Sequence, residues 1–109
     1  MSKITDIIQQ NYDISDFDDG HLFSTNGYQK LSNGLIIQWY NVTIGPDRNQ
    51  TFTHPLAFPT GCLNGAATKG GGQVPTDSYT GIYNLSKTAV TVANGTNSTQ
   101  TTRLILIGH

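Results

Sequence analysis

The chain contains no glutamate, and charged residues of every kind make up only 12% of its 109 positions. Glu, Lys, Arg and Ala, the usual occupants of exposed helix faces, are scarce. Thr, Asn, Ser, Gln and Gly supply the polar character instead, which argues against a helical bundle and for a β-rich fold. Six Lys and Arg in a chain of formal net charge −1 form no basic stripe for phosphates, so nucleic-acid binding and attachment to anionic membranes both lack electrostatic support. The single cysteine, Cys62, has no intrachain partner, and the opening MSKITDIIQQ has no long apolar core of a secretion signal. Both fit synthesis in a reducing cytoplasm. No apolar run approaches the roughly 20 residues of a membrane helix, the longest being Leu35–Ile37 and Leu104–Ile107.

Catalytic signatures are also missing. His21, His54 and His109 lie far apart in the sequence, in no spacing that binds a metal on one strand or helix. Only a three-fold axis would make one of them, His54 or the terminal His109, into three ligands. Asp16, Asp18, Asp19 and Gly20 fail the offsets of a calcium loop, and no Glu closes it. Glycoside hydrolysis needs two carboxyl groups at a set separation, yet the β-rich part offers only Asp47 and Asp77. There is no G-x-S-x-G elbow, and GAATKGGG at 65–72 lacks the order of a phosphate loop. The expectation is a protein without catalytic residues, metal or cofactor. Five N-x-[ST] sequons, at Asn41, Asn49, Asn84, Asn94 and Asn97, follow from a composition of nine Asn among many Thr and Ser.

Residues 2–11 form the one expected helix, capped by Ser2 with Ile4, Ile7 and Ile8 on one face. A helix of about ten residues needs a partner to be stable. Residues 12–27 read as an acidic linker or irregular wrap, so residues 1–27 are assigned to a stalk and 28–109 to a head. From Tyr28 the pattern is strand and turn, with strands expected at 28–31, 35–44, 50–54, 62–68, 78–84, 87–93 and 101–108. Ser32-Asn33-Gly34 and Gly45-Pro46-Asp47 are turns, and Gly70-Gly71-Gly72 opens a long loop.

The strand faces carry the most information. In 35–44, Leu35, Ile37 and Trp39 face one way and Ile36, Tyr40, Val42 and Ile44 the other; Leu104 and Leu106 likewise oppose Ile105 and Ile107. A small sandwich buries one face of each sheet. A second apolar face with no helix to cover it predicts contact with identical subunits, which places Ile36, Trp39, Tyr40, Val42 and Ile105 in a core or trimer interface. Sugars are held by aromatic faces, amides, hydroxyls and carboxylates on loops. The loop residues of that kind are Tyr79, Tyr83, Gln73, Thr76 and Asp77 around the glycine-rich stretch, Asp47, Arg48 and Asn49 in a second turn, and Asn94 to Gln100 in a third.

Three segments, NGLIIQWYNV at 33–42, FTHPLAFPTGCLNGAAT at 52–68 and LILIGH at 104–109, resemble the C-terminal domain of tail-fibre proteins of Mu-like phages and prophages. The likeness spans about residues 28–109. That family shows an N-G-L-I-I-Q-W-G strand, an F-P-x-A-F-P-x-x-C element and a last strand ending in I-G-Y or I-G-H. This chain departs from it at Tyr40, where Gly is usual, at His54-Pro55 in the middle motif, and at Leu104, often Trp. The resemblance implies an all-β, small antiparallel β-sandwich that trimerises at the distal end of a fibre, in a virion made in the bacterial cytoplasm. It also implies recognition of lipopolysaccharide or another surface polysaccharide, with 45–50, 69–78 and 94–100 as variable loops. Two other roles stay open: a capping and trimer-registering domain without receptor contact, and a polysaccharide depolymerase.

Overall fold

The computed structural model describes residues 14–70 and 80–109. The expected helix over 2–11 lies outside them, as do Gln73, Thr76, Asp77 and Tyr79. A 3-10 turn, Ile14–Phe17, leads into β1 (Asp18–Leu22), β2 (Gly27–Leu31), β3 (Ile36–Ile44), β4 (Arg48–Thr53), β5 (Cys62–Lys69), β6 (Thr80–Tyr83), β7 (Ala89–Asn94) and β8 (Gln100–Gly108). They form a five-stranded sheet of order β1-β2-β3-β8-β5 and a three-stranded sheet of order β4-β7-β6, antiparallel throughout.

The strand patterns emerge where alternation predicts them, with ends shifted by a few residues. β1 is the addition: a strand stands where an irregular wrap was expected. Its sequence, DDGHL, has no apolar alternation to announce it. It is held by polar contacts instead, Asp18 Oδ1 accepting from Gly20 N at 2.9 Å and from Gln29 Nε2 at 2.8 Å. The β2–β3 turn follows expectation, with Gly34 at φ 96° and its N–H donating to Leu31 O.

The long β3–β8 ladder runs unbroken from Ile36 opposite Gly108 to Ile44 opposite Gln100. Its inner face, with Ile36, Tyr40, Val42, Ile44, Leu104 and Leu106, packs on Val90 and Val92 of β7 and on Phe58 from the β4–β5 loop. Ile36, Tyr40 and Val42 therefore belong to the domain's own core. Trp39 and Ile105 point the other way, onto the outer face of the five-stranded sheet. Trp39 is half-buried there by a hydrogen bond from its Nε1 to Ser24 O at 2.8 Å and by stacking with Phe23.

The sandwich has two distinct ends. The base holds Ile14–Asp18, the β2–β3 turn, the β4–β5 and β6–β7 connections and the C-terminus; Ser32 N donates to Phe17 O there. The tip gathers the β3–β4 and β7–β8 turns, the end of β5 and the start of β6. Ile36 and Ile44 are separated by about 27 Å, at about 3.4 Å per residue.

The three segments that carry the resemblance meet at the base. The fully buried Gln38 amide donates to Leu56 O at 2.7 Å and accepts from Leu56 N at 3.3 Å, so it docks the β4–β5 loop as a backbone strand would. Gly61 and His109 exchange both backbone hydrogen bonds. Phe58 lies so close to Gly108 that a Cβ there would sit well inside van der Waals contact with its ring.

The three departures from the family pattern also meet. Tyr40 stands opposite Leu104 in the ladder, and its hydroxyl lies 2.9 Å from His54 Nδ1. The resemblance implies Gly at the first of these positions and often Trp at the second; with Tyr and Leu instead, bulk sits on β3 where the pattern would put it on β8. His54 then supplies an acceptor for the buried hydroxyl. His54 Nε2 lies 2.9 Å from Ser86 O; a carbonyl only accepts, so Nε2 carries the proton, and Nδ1 receives one from Tyr40. Burial pushes the Tyr40 hydroxyl up to about 12 and holds the His54 imidazole below its usual value, the Ser86 hydrogen bond opposing that shift.

Two outcomes are expected. Tyr40→Gly alone opens a cavity worth about 3–5 kcal/mol, Leu104→Trp alone overpacks by about 1–3 kcal/mol, and the two combined with His54→Phe recover most of the loss in urea denaturation, a non-additivity that tests the shared packing. Second, the folded His54 value lies below 6.5, so its contribution is complete above pH 6.5 and is lost as the pH falls through the folded value. Stability measured across that window falls by up to about 1.4 kcal/mol per pH unit, and His54→Phe flattens the slope.

Candidate functional site

The tip is organised by one buried side chain. Asn94, the last residue of β7, is almost wholly buried. Its Nδ2 donates to Gly45 O at 2.9 Å, Ser98 O at 3.1 Å and, more weakly, Ile44 O at 3.3 Å. Its Oδ1 accepts from Thr96 N at 3.0 Å, Thr96 Oγ1 at 2.8 Å and Lys69 Nζ at 3.3 Å. One amide thus clasps the β3–β4 turn, the β7–β8 turn and the end of β5. Asp47 N donates to Thr96 O at 2.8 Å and closes the same knot. The sequence Asn94-Gly95-Thr96, read at first as a chance sequon, is an Asx-type turn with a supporting threonine.

Two cations stand at the clasp, and a third lies on the other face of the five-stranded sheet. Lys69, on the inner face of β5, packs its ammonium against Asn94, and burial lowers its affinity for the proton. Arg48 opens β4 opposite Asn94 with its guanidinium lying over Gly45. Arg103, on the outer face of β8, reaches Gly70 O at 3.4 Å. Asp47, at φ 47°, is the described carboxylate at this end.

Two sheet faces flank the tip. The outer face of the three-stranded sheet is small and polar: Thr51 and Thr91 hydroxyls hydrogen-bond at 2.9 Å in a row with exposed Tyr83, next to the row Asn49–Ala93–Gly81. The outer face of the five-stranded sheet is apolar toward the base. Ile105 and Ile107 are 49% and 38% exposed and Leu63 62%, and a shallow depression lies between Asn64, Gly65, Ala66, Ile105 and Ile107.

The sequence-predicted residues are thus only partly gathered. Asp47, Arg48 and Asn49 stand together at the tip beside the 94–100 turn. Tyr83 does not join them; it ends β6 three residues from Thr80, which pairs with Asn94, about 10 Å down the sheet. Lys69 was missed, since nothing in its neighbours marks a buried acceptor. Among the described residues no three His, Cys or Asp lie close enough to hold a metal. Both ring nitrogens of His54 are engaged within the fold, which removes it as an axial ligand. Burial raises the Cys62 thiol, a backbone hydrogen bond with Asn64 acting against it, so it stays protonated and is a poor nucleophile.

The family model for the C-terminal domain of gp53-like tail fiber proteins matches residues 30–109. Among solved structures, the R2 pyocin fibre of P. aeruginosa is similar at TM-score 0.77 and 29% identity, over 83% of this chain and 25% of that one. An N-truncated R2-type pyocin tail fibre matches at TM-score 0.77 and 28% identity, over 83% and 37%, and an N-truncated R1-type pyocin tail fibre at TM-score 0.72 and 25% identity, over 83% and 84%. The chain therefore spans only a quarter to just over a third of the two R2 structures. No curated protein sequence matches.

Asn94→Ala strands several buried carbonyls and the Thr96 N–H at once. At about 1–3 kcal/mol per unsatisfied group, it is expected to cost at least about 3 kcal/mol in denaturant unfolding, and to speed amide exchange at Thr96 and Ser98 more than at Gln38.

Proposed function

The chain belongs to the family of gp53-like tail fiber C-terminal domains, and from that premise we propose that it is the trimeric tip of a phage or pyocin-like fibre that attaches the particle to a bacterial surface glycan such as lipopolysaccharide. The observation that carries this reading is the polarity of the sandwich. The N-terminal segment joins at the base through Ile14–Asp18, while the turns at 45–47 and 95–99 stand at the opposite end. A fibre shaft continuing from the base leaves the tip facing outward, toward a host surface. Loops on a rigid scaffold are where recognition concentrates.

The apolar outer face supports the trimer. Ile105, Ile107 and Leu63 form an uncovered patch of a kind that marks association surfaces, and two further copies related by a three-fold axis would cover it. Weak attachment per tip would be multiplied by several tips per particle. The binding residues in this reading are Asp47, Arg48 and Asn49 at the tip, with Tyr83 on the adjoining polar face and Gln73, Asp77 and Tyr79 from the glycine-rich loop. No catalytic step is assigned, in keeping with the fibre proteins that the chain resembles. A capping domain without receptor contact shares the trimer but not the tip's role.

The purified chain is expected to have a native mass about three times its 11.8 kDa and to block adsorption of the particle that carries it. Exchanging residues 45–49 and 95–99 for those of a related head is expected to change host choice. A trimer that assembles normally while the exchange leaves host choice untouched would establish the capping role instead.

A further inference from the structure

We propose that the tip holds an anion-binding site, in which the Lys69 ammonium and Arg48 guanidinium, both set against the Asn94 clasp, bind a carboxylate or phosphate group of an acidic glycan. This rests on the receptor-binding reading and adds to it the charge of the ligand and the residues that meet it.

Charge is unevenly distributed along the chain. Residues 1–19 hold five Asp and one Lys, whereas residues 20–109 hold two Asp and five Lys or Arg. Three of those five cations stand at the tip. The ion pair found among the described residues, His21 with Asp18, lies elsewhere, so Arg48, Lys69 and Arg103 have no described carboxylate partner. A partly buried ammonium normally recovers its lost hydration from a carboxylate. Among the described residues Lys69 has instead a single neutral acceptor, Asn94 Oδ1, itself already shared with two donors of Thr96. Two of its three N–H groups meet no acceptor among those residues.

Arg48 is positioned by the same amide. Asn94 Nδ2 fixes the Gly45 carbonyl, and the guanidinium lies where a Cβ on residue 45 would crowd it. Its forked donors meet no acceptor among the described residues, and a planar fork is suited to carboxylate or phosphate oxygens. Arg103 spends one weak hydrogen bond on Gly70 O, the residue after Lys69. Thr102, the ladder partner of Lys69, adds a fully buried hydroxyl with no partner among the described residues. Among the described residues, polar capacity at this end thus exceeds what their hydrogen bonds consume, and the excess is cationic.

The test uses the full chain, with polygalacturonate as the carboxylate probe, phosphomannan as the phosphate probe and dextran as the neutral control, each immobilised at fixed ionic strength. Binding to at least one acidic polymer and not to dextran is expected, and the polymer preferred identifies the anion. Arg48→Gln and Lys69→Gln should each weaken it by at least about fivefold, as loss of a charge-assisted hydrogen bond implies. Lys69→Arg should retain binding. Lys30→Gln and Lys87→Gln remove the same charge away from the tip and should change it less than about twofold. Thermal melts of every variant separate lost binding from lost folding. Acidic polymers held no better than dextran, or equal losses in the Lys30 and Lys87 variants, would overturn the site. Tip variants that still block particle adsorption like the unaltered chain would refute the anion site and leave the receptor reading standing; an unaltered chain that never blocks adsorption sinks the receptor reading itself.

Discussion

The antiparallel pairing of β3 with β8 is the constraint on which the molecule is built. Nine consecutive residue pairs, from Ile36–Gly108 to Ile44–Gln100, join a strand from the first half of the chain to its last strand, and every other element attaches to one side or one end of that ladder. Because side chains alternate with a period of two, fixing this register fixes both faces together. One apolar face is spent on the three-stranded sheet. The other is left over, and the exposed Ile105 and Ile107 are its consequence.

The ladder also separates two kinds of sequence. At the base, the segments shared with the family are locked to one another by Gln38, Phe58, Gly61 and Gly108, through contacts that tolerate little change of shape. Where this chain does change, at Tyr40, His54 and Leu104, it changes as a group, because the three side chains occupy one space. At the tip the constraint is different in kind. Asn94 grips mainly backbone carbonyls and N–H groups, so it fixes the path of the turns without specifying the side chains they carry.

Much of this was legible in the sequence, for identifiable reasons. The two-sided apolar pattern of residues 35–44 and 104–107 is a direct consequence of strand periodicity, and it located both strands and their two apolar faces; that they pair, and which face is core, depends on contacts distant in sequence. Glycine, proline and asparagine marked the turns because only certain backbones suit them. β1 escaped because its pairing rests on Asp18 and Gln29, which carry no periodic signal. Gln38 escaped, and Asn94 was grouped with the candidate loop 94–100, for the same reason: a buried amide looks like an exposed one until its acceptors, distant in sequence, are placed around it. Tyr83 was grouped with the loop it follows, whereas β6 carries it away from that end.

The distance between base and tip has an evolutionary meaning. Substitutions separated by more than about 7–10 Å with no shared partners act almost independently, and about 20–27 Å of ladder lies between the turns and the interlocked Gln38 and Gly108. New tip residues can therefore be tried without endangering the fold, provided Asn94 is kept. Change at the turns and fidelity of folding are uncoupled by the length of a single strand.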